Sequence, residues 1–460
     1  MQHVKSAQEI SVWEAIIITI LVIGGVSYSI IGLEVTPHIP IIFAIITLIL
    51  YGLCKRVSVS NIEEGIFEGA KSGIGAIFIF FFIGMLISSW MASGTIPTFI
   101  YLALETVNGQ FYYAIVFIVT SLIGLSIGSS LTTAATLGVA FMSISSALGL
   151  SDAITAGAVI SGAFFGDKMS PLSDTTNLAS MIVKVDLFEH IKNMAWTTIP
   201  AFALSFIFFA FLSPQEASAD FQTISLFKET LKDLGFIKWY SLIPFAILAL
   251  LAIKKVPSIL TLSAGVISAA ALAFFVQNDF SFPALMTILF AGFQSDTGVE
   301  QVDSLLNRGG MESMFFSISL VLLALGLGGL FIKLGILPAL LKGIQNHLKK
   351  VPVLITAAAC TAIGINITIG EQYLSILLTG SAFQNAFTKA GLHLKNLSRV
   401  LEDAGTVINP LVPWSVCGVF LTGVLDVSTM EYLPFAFFCL LSPVLTILYG
   451  ITGLTIKKNS

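Results

Sequence analysis

Apolar runs near the length of about 20 residues that crosses a bilayer core recur along the whole chain, and they leave one class of fold open. Eight are uninterrupted: 13–32, 39–54, 74–91, 193–212, 239–253, 258–276, 315–332 and 432–452. A water-soluble domain cannot bury that much oil. Of 460 residues, 56% are hydrophobic and only 10% are charged, against about 25% charged in an ordinary soluble domain. The net charge of −4 offers no basic surplus for a phosphate backbone, so a nucleic-acid partner is excluded. Disordered chains and disulfide scaffolds do not have this composition. Cys54, Cys360, Cys417 and Cys439 sit in apolar runs without CxxC spacing and read as small buried hydrophobes, not bridges or zinc ligands. Glu9 and Glu14 precede the first run and a second follows at once, so it reads as a retained span rather than a cleaved signal.

Four further stretches are interrupted. Segments 111–150 and 352–391 are too long for one helix, and each has a polar, glycine-rich break near its middle. They read as re-entrant hairpins. Segments 152–186 and 396–425 also break in the middle, and each reads as one discontinuous crossing. The expectation is an all-α polytopic membrane protein with about ten transmembrane segments. Lysine and arginine test the layout, because they accumulate on the cytoplasmic side. With both termini cytoplasmic, seventeen fall inside, including Lys55, Lys71, Lys333, Lys395 and Arg399. Four fall outside (Lys228, Lys232, Lys238 and Arg308), and Lys168 lies mid-membrane. Making the first hairpin an ordinary crossing would invert the loops after it and spoil this bias.

The chain reads as duplicated. Gly94-Thr-Ile-Pro97 answers Gly335-Ile-Leu-Pro338, Ile123-Gly124 answers Ile363-Gly364, and Ser170-Pro171-Leu172 answers Asn409-Pro410-Leu411, at offsets of 241, 240 and 239 (338 − 97, 364 − 124, 410 − 171). Each copy holds five crossings, an odd number, so the second copy enters from the opposite side. Two inverted repeats, each with a re-entrant hairpin and a discontinuous helix, are expected over 1–212 and 238–460, joined by an external linker at 213–237 that carries Glu216 and Asp220. Secondary transporters recur on this plan, with the site near the midplane.

Acids at membrane depth cost about 2.5–3.5 kcal/mol on insertion scales and so must face protein or a watery cavity. They cluster at the breaks. The first is Gly166-Asp-Lys-Met-Ser-Pro-Leu-Ser-Asp-Thr-Thr-Asn177, where Pro171 ends a helix. Asp167, Ser170, Ser173, Asp174, Thr175, Thr176 and Asn177 supply hard oxygens of the kind Na+ prefers, and Lys168 can neutralise one acid. Its counterpart offers Asp403, Thr406 and Asn409. A structural role for Glu402 nearer the cytoplasmic interface is equally open. The hairpin tips carry Ser129, Ser130, Thr132 and Thr133 in the first and Asn366, Thr368, Glu371 and Tyr373 in the second. Glu371 stands alone in apolar sequence. The five histidines, His3, His38, His190, His347 and His393, lie near interfaces or termini and read as surface residues. Gly65, Gly69 and Gly73 have the spacing of close helix packing. Gly124-Leu-Ser-Ile-Gly128 matches GxSxG without the strand–turn–helix setting that motif needs, and an enzyme is not expected.

The Gly166 to Asn177 run resembles the signature of the NhaC-type Na+/H+ antiporter family. So do Leu397-Ser-Arg399, Glu402-Asp-Ala-Gly-Thr406, Asn409-Pro-Leu-Val-Pro-Trp414 and the Gly370-Glu-Gln-Tyr373 tip. The resemblance covers almost the whole chain. It implies membership of the ion transporter superfamily, with paired hairpins, discontinuous helices and elevator-type movement against a scaffold. It also implies a bacterial plasma membrane location.

The expected activity is secondary active exchange of Na+ for H+ at a midplane carboxylate site, with sodium at Asp167, Asp174, Glu371 and Asp403. An alternative from the same family is a Na+/H+-coupled exchanger of malate or lactate, its hairpin hydroxyls holding a carboxylate. An ion channel is a third reading, disfavoured by broken inverted repeats. No cofactor is expected beyond transported Na+ and H+. The partners are membrane lipids, and the plan is compatible with a homodimer.

Overall fold

The computed structural model describes residues 7–106, 111–171, 173–214, 228–233, 235, 237–254, 256–277, 280–299, 302–303, 306–307, 309–345 and 350–458. Leu172, His3, His347, Arg308 and much of the expected linker, including Glu216 and Asp220, lie outside them. The architecture is all-helical. The only β pairing among the described residues is an isolated bridge between Leu392 and Lys458. Seven described helices are long and apolar enough to cross a membrane, and up to nine spans result if each bent pair counts as one. The expected runs at 39–54 and 239–253 form shorter apolar helices, His38–Cys54 and Trp239–Leu251.

Boundaries shift where caps decide them. The crossing expected from 193 starts at Leu187, because Asp186 accepts hydrogen bonds from the backbone N–H groups of Phe188 (3.0 Å) and Glu189 (3.1 Å). The final crossing is bent by 60° between Thr429–Phe435 and Phe437–Thr452. Segment 59–72, too polar to count as a span, forms the helix Val59–Ser72.

That helix packs backbone to backbone on Phe315–Lys333. A Cβ built at Gly69 would collide with the Leu325 carbonyl oxygen, and one at Gly329 with the Gly65 carbonyl oxygen. Glycine is required at both places. The Glu64 carboxylate and the Lys333 ammonium, 2.8 Å apart, close the same seam.

The first hairpin runs through Tyr112–Ile127, turns at Gly128 and Ser129, and returns through Ser130–Thr133, a π-helical turn at Ala134–Gly138, and Val139–Ala147. Its arms are antiparallel, since the Tyr112 hydroxyl donates to the Phe141 carbonyl. It lies against the first broken helix, Asp152–Met169 and Asp174–Ile182, through Gly124, Gly162 and Gly166. The second hairpin is Val351–Ile369 and Gln372–Lys389. It embraces the second broken helix: Lys395–Val400, a π-helical turn at Leu401–Thr406, a 3-10 turn at Asn409–Leu411, and Val416–Leu425. The halves of this helix meet at 46°.

Beyond Thr452 the chain folds back as a strap. Arg399 Nη1 donates to Thr455 Oγ1 (2.9 Å), Asn396 Nδ2 donates to the Lys457 carbonyl (2.6 Å), and the Lys457 N–H donates to Asn396 Oδ1 (3.0 Å).

Candidate functional site

The four breaks end and restart helices by one device. Gly128 and Gly370 close the first arms of the hairpins in the left-handed region, at φ 70° and 76°, where a side chain would be strained. The next residues, Ser129 and Glu371, cap the second arms. Ser129 accepts from the Thr132 N–H (3.3 Å) and Glu371 from the Leu374 N–H (2.7 Å). In the broken helices Ser173 accepts from the Thr176 N–H (3.3 Å) and Ser415 from the Gly418 N–H (3.0 Å). Each cap satisfies a donor that has no intrahelical partner, worth about 1 kcal/mol. Equivalent caps stand 242 residues apart (370 − 128, 371 − 129, 415 − 173). That offset matches Pro171 with Pro413 rather than with Pro410.

Asp167 joins the first hairpin to the first broken helix. It is 5% exposed, and one of its oxygens accepts from both the backbone N–H (3.1 Å) and the hydroxyl (2.7 Å) of Ser130. Around the break the polar side chains serve the backbone. Thr176 Oγ1 donates to the Lys168 carbonyl (3.1 Å), and Asn177 Nδ2 donates to the carbonyls of Pro171 (3.0 Å) and Ser173 (2.7 Å). The Ser170 N–H donates to the Asp167 carbonyl (3.0 Å), and the Ser173 and Thr175 hydroxyls share a hydrogen bond (3.1 Å). Asp174 is exposed, so the two aspartates of this motif differ in environment.

On the other side Asn366 and Asn409 do the joining. Asn409 Nδ2 donates to Asn366 Oδ1 (2.8 Å), Asn366 Nδ2 donates to the Gly405 carbonyl (2.7 Å), and Asn409 Oδ1 accepts from the Cys417 N–H (2.9 Å). Both asparagine side chains are buried. Trp414 Nε1 donates to the Ile367 carbonyl (2.7 Å), pinning the break to the hairpin tip. Thr368 bonds within its own helix, to the Gly364 carbonyl (2.8 Å), and Thr132 shares a hydrogen bond with Ser129 (2.9 Å). Glu371 is 6% exposed, whereas Tyr373 is 42% exposed.

A fully buried ion pair links the halves of the chain. The Lys168 ammonium meets one oxygen of Asp403, and the Thr446 hydroxyl donates to the other. The ammonium also lies 5.4 Å from the centre of the Phe438 ring.

The four acids expected to share sodium are therefore divided. Asp167, Asp174 and Glu371 lie toward the hairpin tips, while Asp403 is held by Lys168 and Thr446. No group of three or more His, Cys, Asp or Glu side chains among the described residues is close enough to share one metal ion.

Sequence reasoning placed several groups wrongly or not at all. Cys54 and Cys360, read as buried, are exposed, whereas Cys417 and Cys439 are buried. His190, read as a surface residue, is fully buried, and neither ring nitrogen has a hydrogen-bond partner among the described residues. Arg399, counted on the cytoplasmic side, is fully buried under the C-terminal strap, a burial that no sequence signal gave. Thr446 carries no local signal, being one hydroxyl in an apolar helix.

The Na+/H+ antiporter family model matches residues 162–454. The chain is 42% identical over 427 residues to the Na(+)/H(+) antiporter NhaC of Alkalihalophilus pseudofirmus, covering 93% of this chain and 92% of that one. It is 41% identical over 422 residues to the Na(+)/H(+) antiporter NhaC of Bacillus subtilis, covering 91% and 93%. It is 32% identical over 440 residues to the malate-2H(+)/Na(+)-lactate antiporter of Bacillus subtilis, covering 94% of each.

Proposed function

The chain belongs to the Na+/H+ antiporter family, and on that premise we propose that it exchanges Na+ for H+ across a bacterial plasma membrane at the carboxylate of Asp167. The observation that carries this reading is the setting of Asp167. It is an almost sealed acid at the junction of a hairpin tip and a broken helix, with the Ser130 hydroxyl 2.7 Å away. Antiport requires that Na+ and H+ occupy one place in turn, and a buried carboxyl can be neutralised by either. In this reading Glu371 and the oxygens of Ser129, Ser130, Ser173, Asn366 and Asn409, all at the tips and breaks, complete the cation's surroundings. Lys168 and Asp403 neutralise one another, so their pair adds no net charge to the cation's surroundings.

The matching caps at Gly128 and Gly370 support a duplicated chain; in this reading its repeats, 1–212 and 238–460, are inverted and both termini are cytoplasmic. Ion release to either side then follows from movement of hairpins and broken helices against the glycine seam.

The organic-acid alternative has one structural point in its favour. Arg399 is a second buried cation, with no carboxylate within ion-pair distance among the described residues. Its guanidinium lies under the strap, however, away from the hairpin tips.

Purified protein in proteoliposomes separates the readings. Dissipation of an imposed ΔpH by NaCl alone supports Na+/H+ exchange. Silence until malate or lactate is supplied moves the function to coupled acid exchange. Asp167→Asn should abolish the Na+-driven signal, and normal exchange by that variant removes Asp167 from the site.

A further inference from the structure

Glu402 is a fully buried carboxyl near the site that neither the exchange reading nor the ion pair uses. Neither carboxyl oxygen has a hydrogen-bond partner among the described residues. Its charged neighbours are Asp167, Lys168 and Asp403, and the Thr406 hydroxyl faces it from the next turn. Lys168, the cation in that set, is committed to Asp403. The hydroxyls of Thr406 and Thr379 are also fully buried and without partners among the described residues.

Thr379 belongs to the surface that packs on this turn. A Cβ at Gly380 would lie 3.1 Å from Leu401, and one at Gly405 would lie 3.4 Å from the Ser375 hydroxyl. The stretch 375–380 therefore covers the π-helical turn Leu401–Thr406. The Glu402 carboxyl, faced by the Thr406 hydroxyl, and the Thr379 hydroxyl are thus buried on two segments that pack together, with coordination left to spare. Buried polar atoms are paired in the great majority of cases, and an unmatched buried charge costs several kcal/mol. A π-helical turn inside an α-helix frequently marks a functional position.

We propose that Glu402, Thr406 and Thr379 form a second coordination station for the transported monovalent cation, distinct from Asp167. It lies seven residues before Asn409 (409 − 402), about 10 Å along the helix toward the strap end by the rise of 1.5 Å per residue. The ligand class is a dehydrated hard cation, Na+, which takes carboxylate and hydroxyl oxygens. The inference rests on the cation-exchange reading and adds a waypoint between the tips and the strap side.

The test is equilibrium binding of radiolabelled Na+ to the purified full-length protein. The wild type should bind Na+ in two classes. Glu402→Gln should remove one class and keep the other, while Asp167→Asn should do the converse. Thr406→Val and Thr379→Val, which keep the carboxyl, should weaken the Glu402 class about tenfold, the effect of losing roughly 1.4 kcal/mol. Undiminished stoichiometry and affinity in Glu402→Gln overturns the second station and leaves the exchange reading standing. If Glu402→Gln does not fold, unchanged binding in both threonine variants overturns it equally. A wild type that binds no Na+ overturns the exchange reading itself.

Discussion

Lys168 and Asp403 are 235 residues apart in sequence and meet as an ion pair in full burial. The pair ties the first broken helix to the second. Removing one member leaves the other charge bare, which costs about 3–5 kcal/mol, whereas replacing both with apolar groups is often near neutral. Lys168→Met should therefore lower the melting temperature sharply, and Lys168→Met with Asp403→Leu should recover most of the loss. Thermal unfolding in detergent checks both.

Ser130 offers Asp167 two donors, and only one belongs to the side chain. Ser130→Ala keeps the backbone donor and loses a hydrogen bond to a carboxyl, worth about 1.5–3 kcal/mol if that group is charged. The concentration of Na+ giving half-maximal exchange should rise about tenfold, with Ser130→Thr close to wild type. Titration of the ΔpH signal with NaCl gives the comparison.

The Asn366–Asn409 link makes a stability prediction. Asn409→Ala strands Asn366 Oδ1 and the Cys417 N–H, both buried. A loss of about 1–3 kcal/mol is expected for each unsatisfied group. A melting temperature equal to that of the wild type would show that the second break does not depend on this contact.

Glycines divide into two kinds. Gly69→Val drives a side chain into the Leu325 carbonyl and should prevent accumulation of folded protein, because backbone cannot yield there cheaply. Gly364 lies within a helix, and nothing stands within 4 Å of the place a methyl group would take. Gly364→Ala should fold normally and gain about 0.5–1 kcal/mol from helix preference. Yield after size-exclusion chromatography distinguishes them.

Asp303, in the loop before Phe315, predicts a local pH response. Chiefly the backbone N–H of Thr297, helped by the Ser295 hydroxyl at 2.8 Å, holds its carboxyl below the ordinary range. A lowered value in the folded loop means the contribution is present at neutral pH. It is lost as pH falls through the ordinary range and then the lowered value. Hydrogen exchange across residues 295–299 should quicken in acid, and Asp303→Asn should remove that dependence.

Most of the helical plan was legible because span length is imposed by the bilayer and breaks are written in Pro171, Gly128 and Gly370. Partnering was not legible. Asp167 and Lys168 are adjacent in sequence, yet a helix turns about 100° between neighbours. One side chain consequently reaches Ser130 and the other reaches Asp403. A local reading pairs Lys168 with the nearest acids and cannot see Asp403. The π-helical turn Leu401–Thr406 has a similar effect, since an extra residue in the turn rotates Glu402 away from where an α-helical count puts it. His190 was misplaced, and the burial of Arg399 missed, because nearness to a span end says nothing of what covers it.

The strap of Thr455 and Lys457 gives the experimenter a handle. It grips Asn396 and Arg399, at the start of the half-helix that leads to Asp403. A fluorophore placed at Lys458 is mechanically coupled to that half-helix. If that half-helix moves when Na+ is added, the label should report it from a position accessible to chemistry, and a bulky fusion joined there should slow it.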